Sequence, residues 1–176
     1  MRILPFSIVL AAFAAVPASS ALPIGAGAPD FRTVGAIGGK SFKMHLAAQL
    51  KKGPVVLYFY PKAFTQGCTL EARAFSEAMP EFRKAGASVI GMSADDMETL
   101  KRFSTEECRS AFPVAIASRN IAQAYDVVLK QDPLVTKRTS FVISKSGRIV
   151  MVHDDMNWAE HVAKTLAAVR ELNKKG

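Results

Sequence analysis

The sequence has 176 residues, 49% of them hydrophobic and 22% charged, with 23 Lys and Arg against 15 Asp and Glu, and two cysteines. That balance excludes a disordered tail, a collagen-like fibre and a disulfide-stapled miniprotein, and the length suits one globular domain. The net charge of +8 favours acidic partners in principle, but outside Lys51-Lys52 and Lys174-Lys175 the basic residues are dispersed, so they read as a solvated surface with no nucleic-acid partner.

The chain opens on Met1-Arg2, an apolar run from Ile3 to Val16, and small residues at Ser19 and Ala21. This pattern is a secretory leader over residues 1–21, cut after Ala21, and it places the mature domain, residues 22–176, in an exported and periplasmic setting. The run falls short of the roughly 20 residues of a membrane span, so no stable membrane insertion is expected after cleavage. An uncleaved N-terminal anchor is the alternative.

Leu22 to Gly39 carry five glycines and two prolines and read as a looped entry, with Ala28-Pro-Asp-Phe31 as its anchor. Phe42 to Leu50 reads as a short helix or loop. Pro54-Val-Val-Leu-Tyr-Phe-Tyr60 is a continuous apolar run of strand type, buried on both faces. From Cys68 to Lys84 the spacing turns helical, through Phe75, Met79 and Phe82 to Gly86, with a kink or early break expected at Pro80. Ala87 to Ser93 reads as a second buried strand. Ser93-Ala-Asp-Asp96 resembles a capping box that opens a helix towards Cys108.

A short strand at Phe112–Ala117 and a short helix at Asn120–Val127 follow. Thr139–Ser144 and Arg148–His153 alternate and are joined by Lys145-Ser-Gly147, a hairpin signal. Asn157-Trp-Ala-Glu160 caps a final helix whose apolar stripe is Val162, Leu166, Val169 and Leu172. The order β-α-β-α-β-α-β-β-α implies parallel crossovers first and an antiparallel hairpin last: an α/β sandwich with a mixed central β-sheet and helices on both faces.

The chemistry concentrates where the first long strand ends, at Tyr60-Pro61-Lys-Ala-Phe-Thr65-Gln-Gly-Cys68-Thr-Leu-Glu71. A cysteine opening a helix sits among backbone N–H groups without intrahelical partners and at the positive end of the dipole, a setting that favours thiolate. The Thr65 hydroxyl is placed to donate to that sulfur and to accept from a substrate, with a plain N-cap as the rival reading.

Pro61-x-x-x-Thr65-x-x-Cys68 with Glu71 three residues on resembles the peroxiredoxin active-site motif. Tyr60-Pro61-Lys62 looks like its bacterioferritin-comigratory or peroxiredoxin Q branch. Ala28-Pro-Asp-Phe31, Val89-Ile-Gly-Met-Ser93, Phe112-Pro-Val and Arg138-Thr-Ser-Phe141 extend the likeness over nearly the whole mature chain. The resemblance implies a thioredoxin-like fold and a thiol-dependent peroxidase without metal, haem or other cofactor. Its expected partners are a peroxide and a thioredoxin-like or small-thiol reductant, and the expected assembly is a monomer or weak dimer.

By the same resemblance, Cys68 attacks the peroxide and becomes sulfenic acid. Thr65 holds the peroxide, Pro61 shields the sulfur from water, and Arg138 supplies positive charge beside it. The N–H groups of Gly67 and Cys68 complete the hydrogen bonding to peroxide, and Glu71 orients Arg138. Arg138 as an ordinary strand-edge charge beside Lys137 stands against that reading. His153 and His161 read as solvated surface histidines. Met44, Met79, Met92, Met97, Met151 and Met156 read as core and gap fillers.

Two departures matter. Many members of the branch carry a resolving cysteine five residues after the first, and that position here is Arg73. Cys108 is the remaining thiol; it is a resolving cysteine, a buried bystander or half of an intermolecular bridge. Two rival functions remain. An exported thioredoxin-like thiol-disulfide oxidoreductase needs Cys-x-x-Cys, and Glu71 occupies the second position. A non-catalytic envelope-binding protein is the other.

Overall fold

Gly38 and Gly39 take positive φ values of 55° and 75° and fold two strands onto each other, β1 (Arg32–Ile37) and β2 (Lys40–His45), paired antiparallel from Arg32 opposite His45 to Ile37 opposite Lys40. Two consecutive left-handed residues make the tight hairpin turn whose twist matches its strands. The looped entry expected up to Gly39 and the helical stretch expected from Phe42 are therefore corrected to a hairpin, followed by a short helix α1 (Leu46–Leu50). The hairpin hides because Val34 and Ile37 stay exposed while Gly35 and Ala36 go in, so no apolar alternation marks the strands.

The computed structural model describes residues 21–175; the expected leader lies outside them except for Ala21. After α1 come β3 (Val55–Phe59), α2 (Gln66–Lys84), β4 (Ser88–Ser93), α3 (Met97–Glu106), β5 (Val114–Ile116), α4 (Arg119–Ala124), β6 (Thr139–Ile143) and β7 (Ile149–Asp154). A 3-10 turn (Trp158–Glu160) then leads into α5 (His161–Lys175). The strands form one seven-stranded mixed sheet in the order β2-β1-β5-β4-β3-β6-β7. β3 lies parallel to β4 and β4 to β5, while the other pairings are antiparallel. This is the thioredoxin-like α/β arrangement.

All of β3 is buried because both faces are covered. Val56 and Tyr58 point into a core with Phe75, Met79, Phe82, Leu100, Phe103 and Val169, from α2, α3 and α5. Val55, Leu57 and Phe59 point the other way, to α1 and α4, among Leu46, Ile121, Tyr125 and Phe141. Tyr58 stacks on Phe75 with ring centroids 4.4 Å apart.

An early break at Pro80 and a capping box opened by Ser93 are not found. α2 runs unbroken through Pro80 to Lys84. Pro80 is exposed and Ser76, four residues earlier, is half-buried, so the proline ring and the hydrogen bond it removes lie off the packed face of the helix. The N-cap of α3 is Asp96, whose carboxylate accepts from the Thr99 N–H at 2.8 Å; Ser93 instead donates to Asp95 Oδ2 at 2.8 Å. Among the described residues no helix is long and apolar enough to cross a membrane.

Candidate active site

β3 stops at Phe59, and Tyr60 stays tied to the sheet through its N–H to the Met92 carbonyl (3.0 Å) and its own carbonyl, which accepts from Thr136 Oγ1 (2.8 Å). Pro61 opens the turn. Ala63 N–H then donates to Asp95 Oδ2 at 2.8 Å, which pins the loop to the end of β4. Phe64 takes a left-handed φ of 63°, with its ring half exposed against Phe103 and under the Arg102 guanidinium. This sharp reversal aims the next residues into α2, so that Cys68 is the third residue of the helix and 2% exposed.

Arg138, the residue before β6, reaches across to this helix. Its Nη2 donates to Cys68 Sγ at 3.3 Å, its Nη1 pairs with Glu71 Oε2, and its Nε donates to the Met156 carbonyl at 2.9 Å. Its backbone N–H also donates to the Met156 sulfur at 3.4 Å. One planar guanidinium thus bridges sulfur, carboxyl and carbonyl, a geometry that lysine cannot reproduce. Both partners of the ion pair are buried, with Arg138 4% and Glu71 0% exposed. The sequence therefore brings Cys68, Glu71, Gly67 and Arg138 together, and Arg138 is not a strand-edge surface charge.

The electrostatics follow from that burial. Desolvation pushes the Glu71 carboxyl up to about 8, with Arg138 pulling the other way. Burial also works against the guanidinium, but the charges of Glu71 and Cys68 outweigh it and hold it above its ordinary value. Cys108 is fully buried, and burial raises its thiol, with Glu107 adding to the effect.

Thr65 departs from its expected contacts. It occupies the N-cap position without a side-chain cap bond, and its hydroxyl donates to the Lys62 carbonyl at 2.9 Å rather than to the sulfur. A hydroxyl has one hydrogen, so its remaining capacity is as an acceptor. The histidines also depart. His161 is fully buried, and His153 is half-buried with its ring centroid 4.4 Å from that of His161. The cause is the rotation of α5: the residues facing inward are His161, Thr165 and Val169, while Val162, Leu166 and Leu172 are partly covered. The four-residue spacing of 161, 165 and 169 was the available signal. Met156, expected as filler, is 52% exposed and holds Arg138.

Cys108 lies beyond the end of α3. Glu107, before it, pairs with Arg73 at 2.7 Å, and Arg109, after it, with Glu77 at 3.3 Å. Those contacts set Cys108 alongside α2 five to nine residues below Cys68, which at 1.5 Å per residue is about 7–14 Å along the helix. Both thiols are free.

A helix-opening thiol held against a guanidinium, with Glu71 where a Cys-x-x-Cys pair would carry its second sulfur, is the arrangement of a thiol peroxidase on a thioredoxin-like fold. The AhpC/TSA family model matches residues 24–152. The chain is 34% identical over 127 residues to peroxiredoxin Bcp of Xanthomonas campestris, covering 69% of this chain and 79% of that one. It is 30% identical over 159 residues to peroxiredoxin Bcp of Bacillus subtilis, covering 88% and 99%. A solved structure, peroxidoxin BcpB from Mycobacterium tuberculosis, matches with a TM-score of 0.75 and 31% identity over 85% of this chain and 97% of that one. The chain belongs to the AhpC/TSA family and is a peroxiredoxin, a thiol-dependent peroxidase.

Proposed function

We propose that this protein reduces hydroperoxides at Cys68, and the observation that carries this reading is the 3.3 Å contact from Arg138 Nη2 to Sγ. The Cys68 thiolate attacks one peroxide oxygen. An S–O bond forms, the O–O bond breaks, and the departing oxygen takes the electron pair and then a proton, leaving water or an alcohol and a sulfenic acid. The attacked oxygen lies against the N–H groups of Gly67 and Cys68, and the Thr65 hydroxyl accepts from the peroxide proton. Arg138 stabilises the charge that develops on the departing oxygen. Pro61 shapes the turn that keeps bulk water from the sulfenate.

Cys108 then resolves the sulfenic acid: its sulfur attacks Cys68 Sγ, a disulfide forms and the sulfenate oxygen leaves as water. A disulfide requires Cα atoms about 4.4–6.8 Å apart, so the first turns of α2 or the segment around Cys108 must open. Arg109 and Ser110 both hold left-handed φ, 50° and 56°, immediately after Cys108, and a strained pair of this kind is suited to a segment that rearranges. A thioredoxin-like protein or a small dithiol reduces the bridge. The leader pattern of residues 1–21 supports export, with the cycle running in the periplasm as a monomer or weak dimer.

The test is to treat the reduced protein with one equivalent of peroxide and map the product by mass. Loss of two hydrogens with a Cys68–Cys108 peptide supports the whole cycle. Oxygen gained at Cys68 alone supports the peroxidatic step without the resolving one. An unchanged Cys68 contradicts both.

A further inference from the structure

Arg138 is held in place by a residue that can itself react with peroxide. Met156, in the turn after β7, accepts two hydrogen bonds from it: the Met156 carbonyl from Arg138 Nε at 2.9 Å, and the Met156 sulfur from the Arg138 backbone N–H at 3.4 Å. The far end of the same guanidinium donates to Cys68 Sγ at 3.3 Å. A thioether sulfur has two lone pairs; the Arg138 N–H occupies one, and the second remains on a residue that is 52% exposed. Met156 also walls an open cleft of about 500 Å³ with Val128, Lys137 and Asp154, so solvent reaches it from that side. Among the described residues the other methionines are more sheltered: Met44, Met79 and Met92 are buried, and Met97 and Met151 are half-buried.

We propose that Met156 is a peroxide-sensitive modification site, whose oxidation to methionine sulfoxide draws the Arg138 guanidinium away from Cys68 and slows peroxide reduction. The step needs only the hydroperoxide that the enzyme already handles. Met156 Sδ attacks one peroxide oxygen, an S–O bond forms and the O–O bond breaks. The departing oxygen takes the electron pair of that bond and the proton left on the attacked oxygen, and leaves as water or an alcohol. The sulfur loses two electrons and the peroxide gains two. A thiolate is a better nucleophile than a thioether, so Cys68 reacts first and Met156 is reached when peroxide outlasts the reduced thiol.

The effect on the site follows from the tether. Oxidation turns a weak sulfur acceptor into a strong oxygen acceptor on a polar side chain. The new oxygen accepts the Arg138 N–H at about 2.9 Å, which sets the sulfur farther out than its present 3.4 Å. The Met156 backbone moves with its side chain, and Arg138 Nε follows the carbonyl to which it donates. Glu71 keeps its pairing with Nη1, so the guanidinium turns about that ion pair and stays in the site. The contact from Nη2 to Sγ lengthens, and catalysis is slowed without being abolished.

The inference rests on Cys68 as the peroxide-reducing thiol, and its test carries a readout of its own. Wild type and Met156→Leu are held in excess hydrogen peroxide without reductant, freed of peroxide, reduced with dithiothreitol and mapped by peptide mass. Each kcat/KM is divided by the fraction of Cys68 recovered as thiol in the same map, so that over-oxidised Cys68 does not register, and is compared with the same protein untreated. Met156 is expected to gain one oxygen ahead of Met97 and Met151, and the wild-type value to fall severalfold and recover after treatment with methionine sulfoxide reductases. Leucine has no sulfur to oxidise, so Met156→Leu keeps its own untreated value. Met156→Gln, with an amide oxygen near the place of the sulfoxide oxygen, is expected to show the lower kcat/KM before any oxidant. Met156 that oxidises no faster than Met97 or Met151, an oxidised wild type that keeps its rate, an equal loss in Met156→Leu, or a wild-type rate in Met156→Gln overturns the proposal. Untreated wild-type protein that consumes no peroxide contradicts the peroxidase reading instead, and the order of methionine oxidation still tests the site.

Discussion

A Cβ placed on Gly67 would lie 3.2 Å from Arg138 Nη2, the nitrogen that donates to the sulfur of Cys68. The absent side chain of Gly67 thus sets how closely the guanidinium approaches the thiol. Gly67→Ala pushes Nη2 away by a few tenths of an ångström while favouring the helix by up to about 1 kcal/mol. The expected result is an unchanged or higher melting temperature with a severalfold lower kcat/KM for peroxide. Stopped-flow kinetics and a thermal melt on the same preparation separate the two effects, and equal kcat/KM would mean that the guanidinium position is not critical.

Arg138→Ala removes the stabilising charge altogether. The expected loss is about 2–4 kcal/mol of transition-state stabilisation, read from kcat/KM, and a rate within about threefold of wild type would assign that role to another cation. The protein should still fold, because Glu71 can meet the loss of its partner by holding a proton.

The pH dependence of stability has a sign that identifies Glu71. Its carboxyl is raised from an ordinary 4.5 to about 8, so between those values the folded chain binds the proton more tightly, and this contribution to stability falls as pH rises. His161 is lowered from 6.5 to about 4, with burial as the first cause, so its contribution rises with pH over that range and offsets Glu71. Between 6.5 and 8 Glu71 acts without that offset. Thermal melts should therefore show a decline in that window for wild type and a flatter profile for Glu71→Gln; parallel profiles would contradict a proton-holding Glu71.

The sequence revealed the parts of the site that lie in one stretch of chain and not the parts assembled across it. The unbroken apolar run of β3, Pro61 and a cysteine opening a helix were legible because strand burial and helix termini are local properties. The tether of Arg138 to Met156 was not, since nothing local marks a methionine whose carbonyl and sulfur hold a guanidinium from another element. His161 was misread because its helix buries a polar stripe with Thr165, where apolar spacing suggested a different face. The β1–β2 hairpin was missed for the related reason that glycine and exposed valine carry no alternation.

For Cys108, the ion pairs Arg73–Glu107 and Glu77–Arg109 fix its level beside α2 and mean that resolution requires opening. Cys108→Ser is expected to complete one turnover and then stall with a dithiol protein as reductant. Undiminished cycling with that reductant would make Cys108 a bystander and the enzyme a one-cysteine type.

Export is checked by N-terminal sequencing of protein made in a secreting host. The expected mature chain begins at Leu22. Recovery of intact Met1 in the membrane fraction would favour an anchor.

The most direct measurement for the central claim is steady-state peroxide consumption by Cys68→Ser beside wild type, with the fold of each checked by circular dichroism. Serine is nearly isosteric but lacks an accessible anionic nucleophile at neutral pH. The account expects a folded protein with no measurable turnover. A folded Cys68→Ser protein that retains more than a few per cent of the wild-type rate would contradict it.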